Sequence, residues 1–132
     1  MTKPLEKWMR WTLVLTAIYN TFGVLLFLPV VSLGRRLVGL PDAHPFYLSL
    51  VTIWIGSFAI LYVWLAVTGR PDRAFIIIAA TGKFAFFSLN VIFWLAGDFK
   101  FVAPIVSCGD LITAILFTWW LWMRRTSNVK EF

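Results

Sequence analysis

Four long apolar runs dominate this sequence and constrain its fold more than any other feature. Each run is long enough to cross about 30 Å of hydrocarbon as a helix that rises about 1.5 Å per residue. The 132 residues are 61% hydrophobic and only 14% charged, and a soluble domain of this length could not bury so much apolar surface. The sequence therefore predicts an all-α, up-down four-helix transmembrane bundle in one domain, with spans at about 11–33, 46–68, 74–97 and 101–123.

The ends of these runs carry signals for helix boundaries. Lys3, Lys7 and Arg10 precede the first run as in a signal peptide, but the run is too long for one and no cleavage site closes it, so we expect an uncleaved first helix. Pro29 is expected to bend or fray its far end. The connections are short, which predicts that successive helices are antiparallel neighbours.

The distribution of basic residues predicts the orientation. The amino end, the second connection and the carboxyl end together carry eight Lys or Arg residues, whereas the first and third connections carry three, Arg35, Arg36 and Lys100. Because basic residues are enriched on the cytoplasmic side of membrane proteins, both termini are predicted to be cytoplasmic, in the inner (plasma) membrane. The same residues would contact anionic membrane lipids.

Two ionisable residues lie within the apolar runs. An ionisable side chain near mid-bilayer costs roughly 2.5 to 3.5 kcal/mol on insertion scales, so each calls for an explanation. Lys83 is about 14 Å and Asp110 about 20 Å from the cytoplasmic end of its span. Neighbouring antiparallel helices and the long lysine side chain make a buried Lys83–Asp110 pair geometrically reasonable.

Further polar residues are expected near the same level. Asn20 in the first span and Ser57 in the second lie at comparable depth, and Asn90 follows Lys83 on the same face of the third helix. With Lys83 and Asp110, they predict a polar layer across the bundle. Tyr62, together with Tyr19 and several phenylalanines, is a candidate for lining an apolar ligand pocket, although bundle packing and lipid contact explain these aromatics equally well.

Several classes of function lack the residues that they need. The net charge of +6 does not indicate nucleic-acid binding, because the basic residues lie at the ends of apolar runs and form no water-facing stripe. The chain has a single histidine, His44, and a single cysteine, Cys108. One chain therefore cannot supply the ligands of a bis-histidine haem or of an iron–sulfur cluster. We therefore predict no resident cofactor, no metal site and no catalytic residues, and autonomous enzyme activity is not indicated.

Short motifs in the four spans suggest a relationship. They are Tyr19-Asn20 with Gly23, the segment 56–62, Gly82-Lys83, and Asp110. In this combination the chain resembles a loosely defined group of small, uncharacterised four-helix bacterial membrane proteins that carry Gly-Lys in the third helix and Asp in the fourth. It departs from the aromatic and proline-rich surroundings that the group has at this Asp. The resemblance implies only that Lys83 and Asp110 belong to a shared core.

The sequence leaves two readings of the polar layer open. In the first, the protein binds or transports a small solute, an ion or a lipid-like ligand, and Lys83, Asp110, Asn20, Ser57, Asn90 and Tyr62 are the candidate site residues. Transport through so small a bundle would call for a homo-oligomer. In the second, the chain is a non-catalytic accessory or assembly subunit of a larger membrane complex, and the Lys83–Asp110 pair only fixes helix register. A lipid-modifying enzyme with a borrowed cofactor is a third, less supported reading.

Overall fold

The fold is all-α in the part of the chain that the computed structural model describes, residues 3–129, with side chains through 126. In chain order the helices are α1 (Lys7–Phe27), α2 (Leu33–Val38), α3 (Pro45–Thr68), α4 (Arg73–Leu95) and α5 (Val102–Val129). All but the short α2 are long and apolar enough to cross a membrane. Large apolar side chains, among them Phe22, Ile53 and Leu95, also cover the outside of the bundle, as expected of a multi-pass membrane protein.

The first helix is shorter than predicted, and the reason is Pro29. The sequence predicted a span to residue 33, but α1 ends at Phe27, and Leu28 has an extended backbone (φ −59°, ψ 126°). A residue that precedes proline avoids the helical region, and the proline itself has no N–H to donate. The chain then turns into α2, a helix that the predicted connection did not include.

Arg35 closes the broken end of α1. Its Nη1 donates to the carbonyl oxygens of Leu26, Leu28 and Val31 at 3.2, 2.8 and 2.7 Å. The side chain is buried. The Leu26 carbonyl has lost its helical partner because α1 stops, and the Leu28 carbonyl also accepts from the Val31 backbone N–H at 3.0 Å. A residue that the charge pattern assigned to the membrane surface is therefore a structural cap.

Capping residues mark other helix boundaries. The backbone N–H of Phe75 donates to Oδ1 of Asp72 at 2.9 Å, which confirms the predicted start of α4. Gly69, with φ +64°, ends α3 in the left-handed conformation that glycine adopts most easily. The last helix, α5, continues to Val129, six residues beyond the predicted end of the fourth span at residue 123.

The helices pack as two hairpins. The backbones are close within the α1–α3 pair and within the α4–α5 pair, and α1 also contacts α5. In contrast, α3 and α4 do not pack backbone to backbone along their length, so the prediction that all successive helices are close neighbours is wrong for this pair. Aromatic side chains fill part of the gap between them, including stacked Phe58 and Phe75.

The packed core occupies one half of the bundle. We call the end that carries both chain termini the terminal end, and the end that carries α2 the opposite end. The contiguous core cluster, which includes Met9, Leu13, Tyr62, Ile76 and Phe117, lies in the half nearest the terminal end. The opposite half holds a cavity, and the polar network described below lies where the two halves meet.

Candidate functional site

Lys83 and Asp110 form an ion pair inside the bundle. The Nζ atom of Lys83 on α4 lies 2.8 Å from Oδ1 of Asp110 on α5, and the two side chains are only 7% and 9% exposed. Their helices are the two members of one hairpin, so the pair spans a closely packed interface. Each charge therefore meets its opposite charge inside the bundle, where an isolated charge would be costly.

Residues of α1 complete the network from the other hairpin. Lys83 Nζ also donates to Oδ1 of Asn20 at 3.0 Å. The hydroxyl of Tyr19 lies 2.5 Å from the carbonyl oxygen of Val106 and 3.1 Å from Oδ2 of Asp110, and can donate its proton to either. The two hairpins are thus joined by charge-assisted hydrogen bonds at mid-height, where burial from water strengthens them.

The approach of Tyr19 to Asp110 depends on Gly109. A Cβ atom at residue 109 would lie 2.5 Å from the Tyr19 ring, closer than carbon atoms can approach. Glycine at this position removes that obstacle and lets the Tyr19 ring approach α5 closely. Gly109 directly precedes the buried aspartate in the sequence, but its contact with Tyr19 joins two different helices and no local pattern predicts it.

Tyr62 on α3 borders the network without a hydrogen bond to it. Its ring centroid is 5.8 Å from Lys83 Nζ, and the ring of Tyr19 is 5.4 Å away from the same atom, within the range of cation–π attraction. Tyr62 is only 1% exposed. It also packs against Phe75 and Phe117, with ring centroids 5.5 and 5.9 Å away.

A cavity of about 640 Å³ extends from this network towards the opposite end. The network residues Tyr19, Asn20, Tyr62, Lys83 and Asp110 line its inner part, and apolar residues make up most of the remaining walls. These apolar residues include Leu26, Val38, Leu40, Val51, Ile55, Phe86, Leu89, Phe93, Phe99 and Val106. The volume lies within the range of sites that hold small ligands.

The cavity reaches the outer surface of the bundle between α3 and α4. Trp54 on α3 and Ile78 on α4 both line it, and they are 67% and 58% exposed. This is the side on which the two hairpins are not closely packed. The cavity is therefore accessible from outside the bundle on this side.

The structure brings together some of the predicted site residues and separates others. Lys83, Asp110 and Asn20 are in direct contact. Asn90 lies about two turns further along α4, where its amide donates to the carbonyl oxygen of Phe86, and it lines the same cavity. The placement of Ser57 in the polar layer is wrong, because its side chain is exposed and its hydroxyl donates to Ile53 within α3.

A second polar cluster lies at the terminal end. The Glu6 carboxylate accepts hydrogen bonds from Trp120 Nε1 at 2.8 Å and from Arg124 Nε at 3.2 Å. Partial burial raises the pKa of Glu6. Hydrogen bonds from its own backbone, from Arg124 and from Trp120, together with the positive charge of Arg124, lower the pKa by a larger amount. The net pKa lies below the ordinary value of 4.5. This cluster clamps the segment before α1 against α5.

The described residues contain no group of three or more His, Cys, Asp or Glu side chains that could hold a metal ion. His44 instead caps α3, accepting at Nδ1 from the Phe46 backbone N–H at 3.2 Å. Comparison with known protein families, curated proteins and solved structures finds no match to this chain. The site's own chemistry must therefore carry any functional conclusion.

Proposed function

We propose that this protein binds a small lipid-like ligand in the cavity between its two hairpins. The observation that carries the proposal is the form of the cavity, with long apolar walls and a polar inner end built from Lys83, Asp110, Asn20 and the tyrosines. Ligand sites combine apolar walls with a few polar groups in this way. The apolar part of the ligand would lie along the walls, and its polar part would reach the network.

The opening between α3 and α4 supports entry from the membrane. A water-soluble solute would gain little from walls built of leucine, valine and phenylalanine, whereas an apolar chain gains free energy by filling them. The exposed Trp54 and Ile78 at the opening are compatible with lipid. We therefore favour a lipid-like ligand over the ions and small polar solutes that the sequence also allowed.

Binding is better supported than flux across the membrane. Towards the terminal end the cavity stops at the packed aromatic side chains of Tyr62, Phe75 and Phe117. A ligand would have to displace this core to continue. Transport would require that rearrangement or a homo-oligomeric pathway, and we place it second to binding.

The basic residues support an orientation for this activity. In the proposed orientation, the protein spans the inner (plasma) membrane with both termini in the cytoplasm. The cavity, which lies towards the opposite end, is then in the outer half of the bilayer. This orientation rests on the count of eight basic residues at the terminal end against three at the opposite end. The bacterial group that the sequence resembles is compatible with this setting.

Thermal unfolding with added amphiphiles tests the proposed function. The purified protein is unfolded in detergent micelles with decane, decanoate, decyltrimethylammonium or 2-decanone, and its tryptophan fluorescence is followed. Binding to the native state raises the unfolding temperature in a saturable manner. We expect at least one of these compounds to do so.

A cavity-filling variant distinguishes binding in the cavity from effects on the micelle. Gly82 lines the cavity, and a Cβ atom placed there meets no atom within 4 Å, so Gly82→Phe is expected to fill space without a clash at its base. Thr81→Phe adds the same ring on an exposed neighbour outside the cavity lining. Stabilisation that survives Thr81→Phe and disappears in Gly82→Phe supports the proposal. Equal stabilisation of both variants, or of neither, contradicts it.

One observation favours the alternative of an accessory subunit. The Lys83–Asp110 pair is closed, with both side chains almost fully buried and hydrogen-bonded to α1, as a purely structural pair would be. Under this alternative, Lys83→Met combined with Asp110→Leu retains cellular activity, and the protein purifies with a stoichiometric partner. Under the binding proposal, the double variant changes the response to the amphiphiles.

A further inference from the structure

We infer that the ligand is a neutral lipid-like molecule whose carbonyl oxygen accepts a hydrogen bond from the hydroxyl of Tyr62 and from Lys83. This inference rests on the proposed function and specifies the polar part of the ligand. It is carried by a tyrosine hydroxyl that is accessible from the cavity and has no hydrogen-bond partner among the described residues, by the third N–H of the ammonium group and by the charge balance of the cavity.

Tyr62 provides the first observation. The side chain is 1% exposed and lines the cavity, yet its hydroxyl makes no hydrogen bond with any residue between 3 and 126. No fully buried side-chain nitrogen or oxygen of the described residues lacks a partner, so the Tyr62 hydroxyl is accessible from the cavity and can donate to a molecule that occupies it. The other tyrosine of the network, the partly buried Tyr19, has two acceptors within reach.

Lys83 provides the second observation. An ammonium group has three N–H donors, and within the described part of the chain two of them reach Asn20 Oδ1 and Asp110 Oδ1. The Nζ atom lies 5.8 Å from the Tyr62 ring. The third donor of Lys83 and the Tyr62 hydroxyl are therefore both available to an acceptor atom in this inner part of the cavity.

The charges of the lining favour a neutral head group. Lys83 and Asp110 are the charged residues among those that line the cavity, and their formal charges cancel. An anion would leave excess negative charge in a region of low dielectric constant, and a cation would place a second positive charge near the ammonium group. A neutral acceptor keeps the balance. A carbonyl oxygen, with two lone pairs and no charge, accepts from both donors.

Infrared difference spectroscopy of a bound ketone tests this assignment. The probe is 2-decanone, prepared with ¹²C or ¹³C at the carbonyl so that the isotope difference isolates its C=O stretch from the bands of the protein. Hydrogen bonding from Tyr62 is expected to move this stretch to lower frequency relative to the ketone in micelles. The Gly82→Phe variant supplies the spectrum without cavity binding.

Tyr62→Phe removes the hydroxyl and retains the ring. We expect this variant to bind 2-decanone about three- to tenfold more weakly, as loss of one neutral hydrogen bond predicts, and to reduce the frequency shift. Because the hydroxyl has no partner within the described residues, the unfolding temperature of the ligand-free variant should match that of the parent. A large decrease would instead show that the hydroxyl has a structural role, and would overturn the inference.

The remaining outcomes separate this inference from the proposed function. If 2-decanone binds in the cavity but its C=O stretch is the same in the parent and in Tyr62→Phe, the inference fails and the proposed function stands. The same holds if decanoate or decyltrimethylammonium binds in preference to the ketone. If none of the four compounds stabilises the protein in a manner sensitive to Gly82→Phe, both fail.

Discussion

Removing one member of the Lys83–Asp110 pair should be far more damaging than removing both. In the variant Lys83→Met, Asp110 loses its 2.8 Å partner and keeps only the hydroxyl of Tyr19, and Asn20 loses its donor. Breaking one side of a buried ion pair typically costs about 3 to 5 kcal/mol, because the remaining charge stays buried without compensation. Asp110→Leu should cost a similar amount.

The double variant should recover much of this loss. With both charges replaced by apolar groups, no uncompensated charge remains, and the Tyr19 hydroxyl still has the Val106 carbonyl oxygen at 2.5 Å. The remaining penalty comes mainly from Asn20 and from fitting leucine at residue 110. We expect the double variant to cost no more than either single variant, with a coupling free energy of at least about 2 kcal/mol.

Reversible unfolding in mixed micelles, with a denaturing detergent as the variable and tryptophan fluorescence as the signal, measures these free energies. Ser57→Ala is a suitable control, since its exposed hydroxyl bonds only within α3, and it should change the unfolding free energy by less than about 0.5 kcal/mol. If the costs of the two single variants simply add in the double variant, the pair does not interact as described and the reasoning is refuted.

Three further outcomes follow from other contacts. Gly109→Ala should lower the unfolding free energy by about 1 to 3 kcal/mol, because the added Cβ would displace Tyr19. In the control Gly82→Ala, the added Cβ meets open space and should not destabilise the protein. Equal effects of the two variants would contradict the close approach of Tyr19 to α5. Arg35→Leu should cost about 2 to 3 kcal/mol because it removes the side-chain donor of the Leu26, Leu28 and Val31 carbonyl oxygens, and an unchanged unfolding temperature would argue against the cap. The Glu6 contribution should be complete above its ordinary pKa of 4.5 and should fade as the pH falls through the lower folded-state pKa. Glu6→Gln should abolish this component of the pH dependence, and an unaltered profile would exclude the clamp.

Much of the architecture could be predicted from hydropathy, because the length of an apolar run directly sets how much membrane it can cross. The predicted boundaries were wrong where a single residue overrides the hydropathy of the run around it. Pro29 stops α1 before its apolar run ends, and the apolar pattern does not encode the cap that Arg35 forms with carbonyls of the preceding helix. Loop length also gave no information about the gap between α3 and α4, which depends on the bulk of side chains such as Phe58 and Phe75.

The charged residues of the candidate site could be identified from the sequence, but the contacts around them could be predicted only in part. Lys83 and Asp110 were identified because a charge in an apolar run needs a partner, and depth placed Asn20 beside them. Depth alone could not separate Asn20 from Ser57, since the two differ in helix rotation: one points into the bundle and the other away from it. The role of Tyr19 depends on the missing side chain at Gly109, a relation between different helices that no local pattern expresses.

A structure determined with a bromine-tagged ketone would show directly whether the cavity binds a lipid-like carbonyl compound. In 10-bromo-2-decanone the heavy atom marks the end of the apolar chain, and its anomalous scattering locates it without reference to the protein model. We predict one bromine peak inside the cavity, towards Leu26 and Leu89, with the carbonyl oxygen beside Tyr62 and Lys83. Bromine found only on the outer, lipid-facing surface of the helices, or a ketone bound with its carbonyl away from Tyr62, would contradict the account.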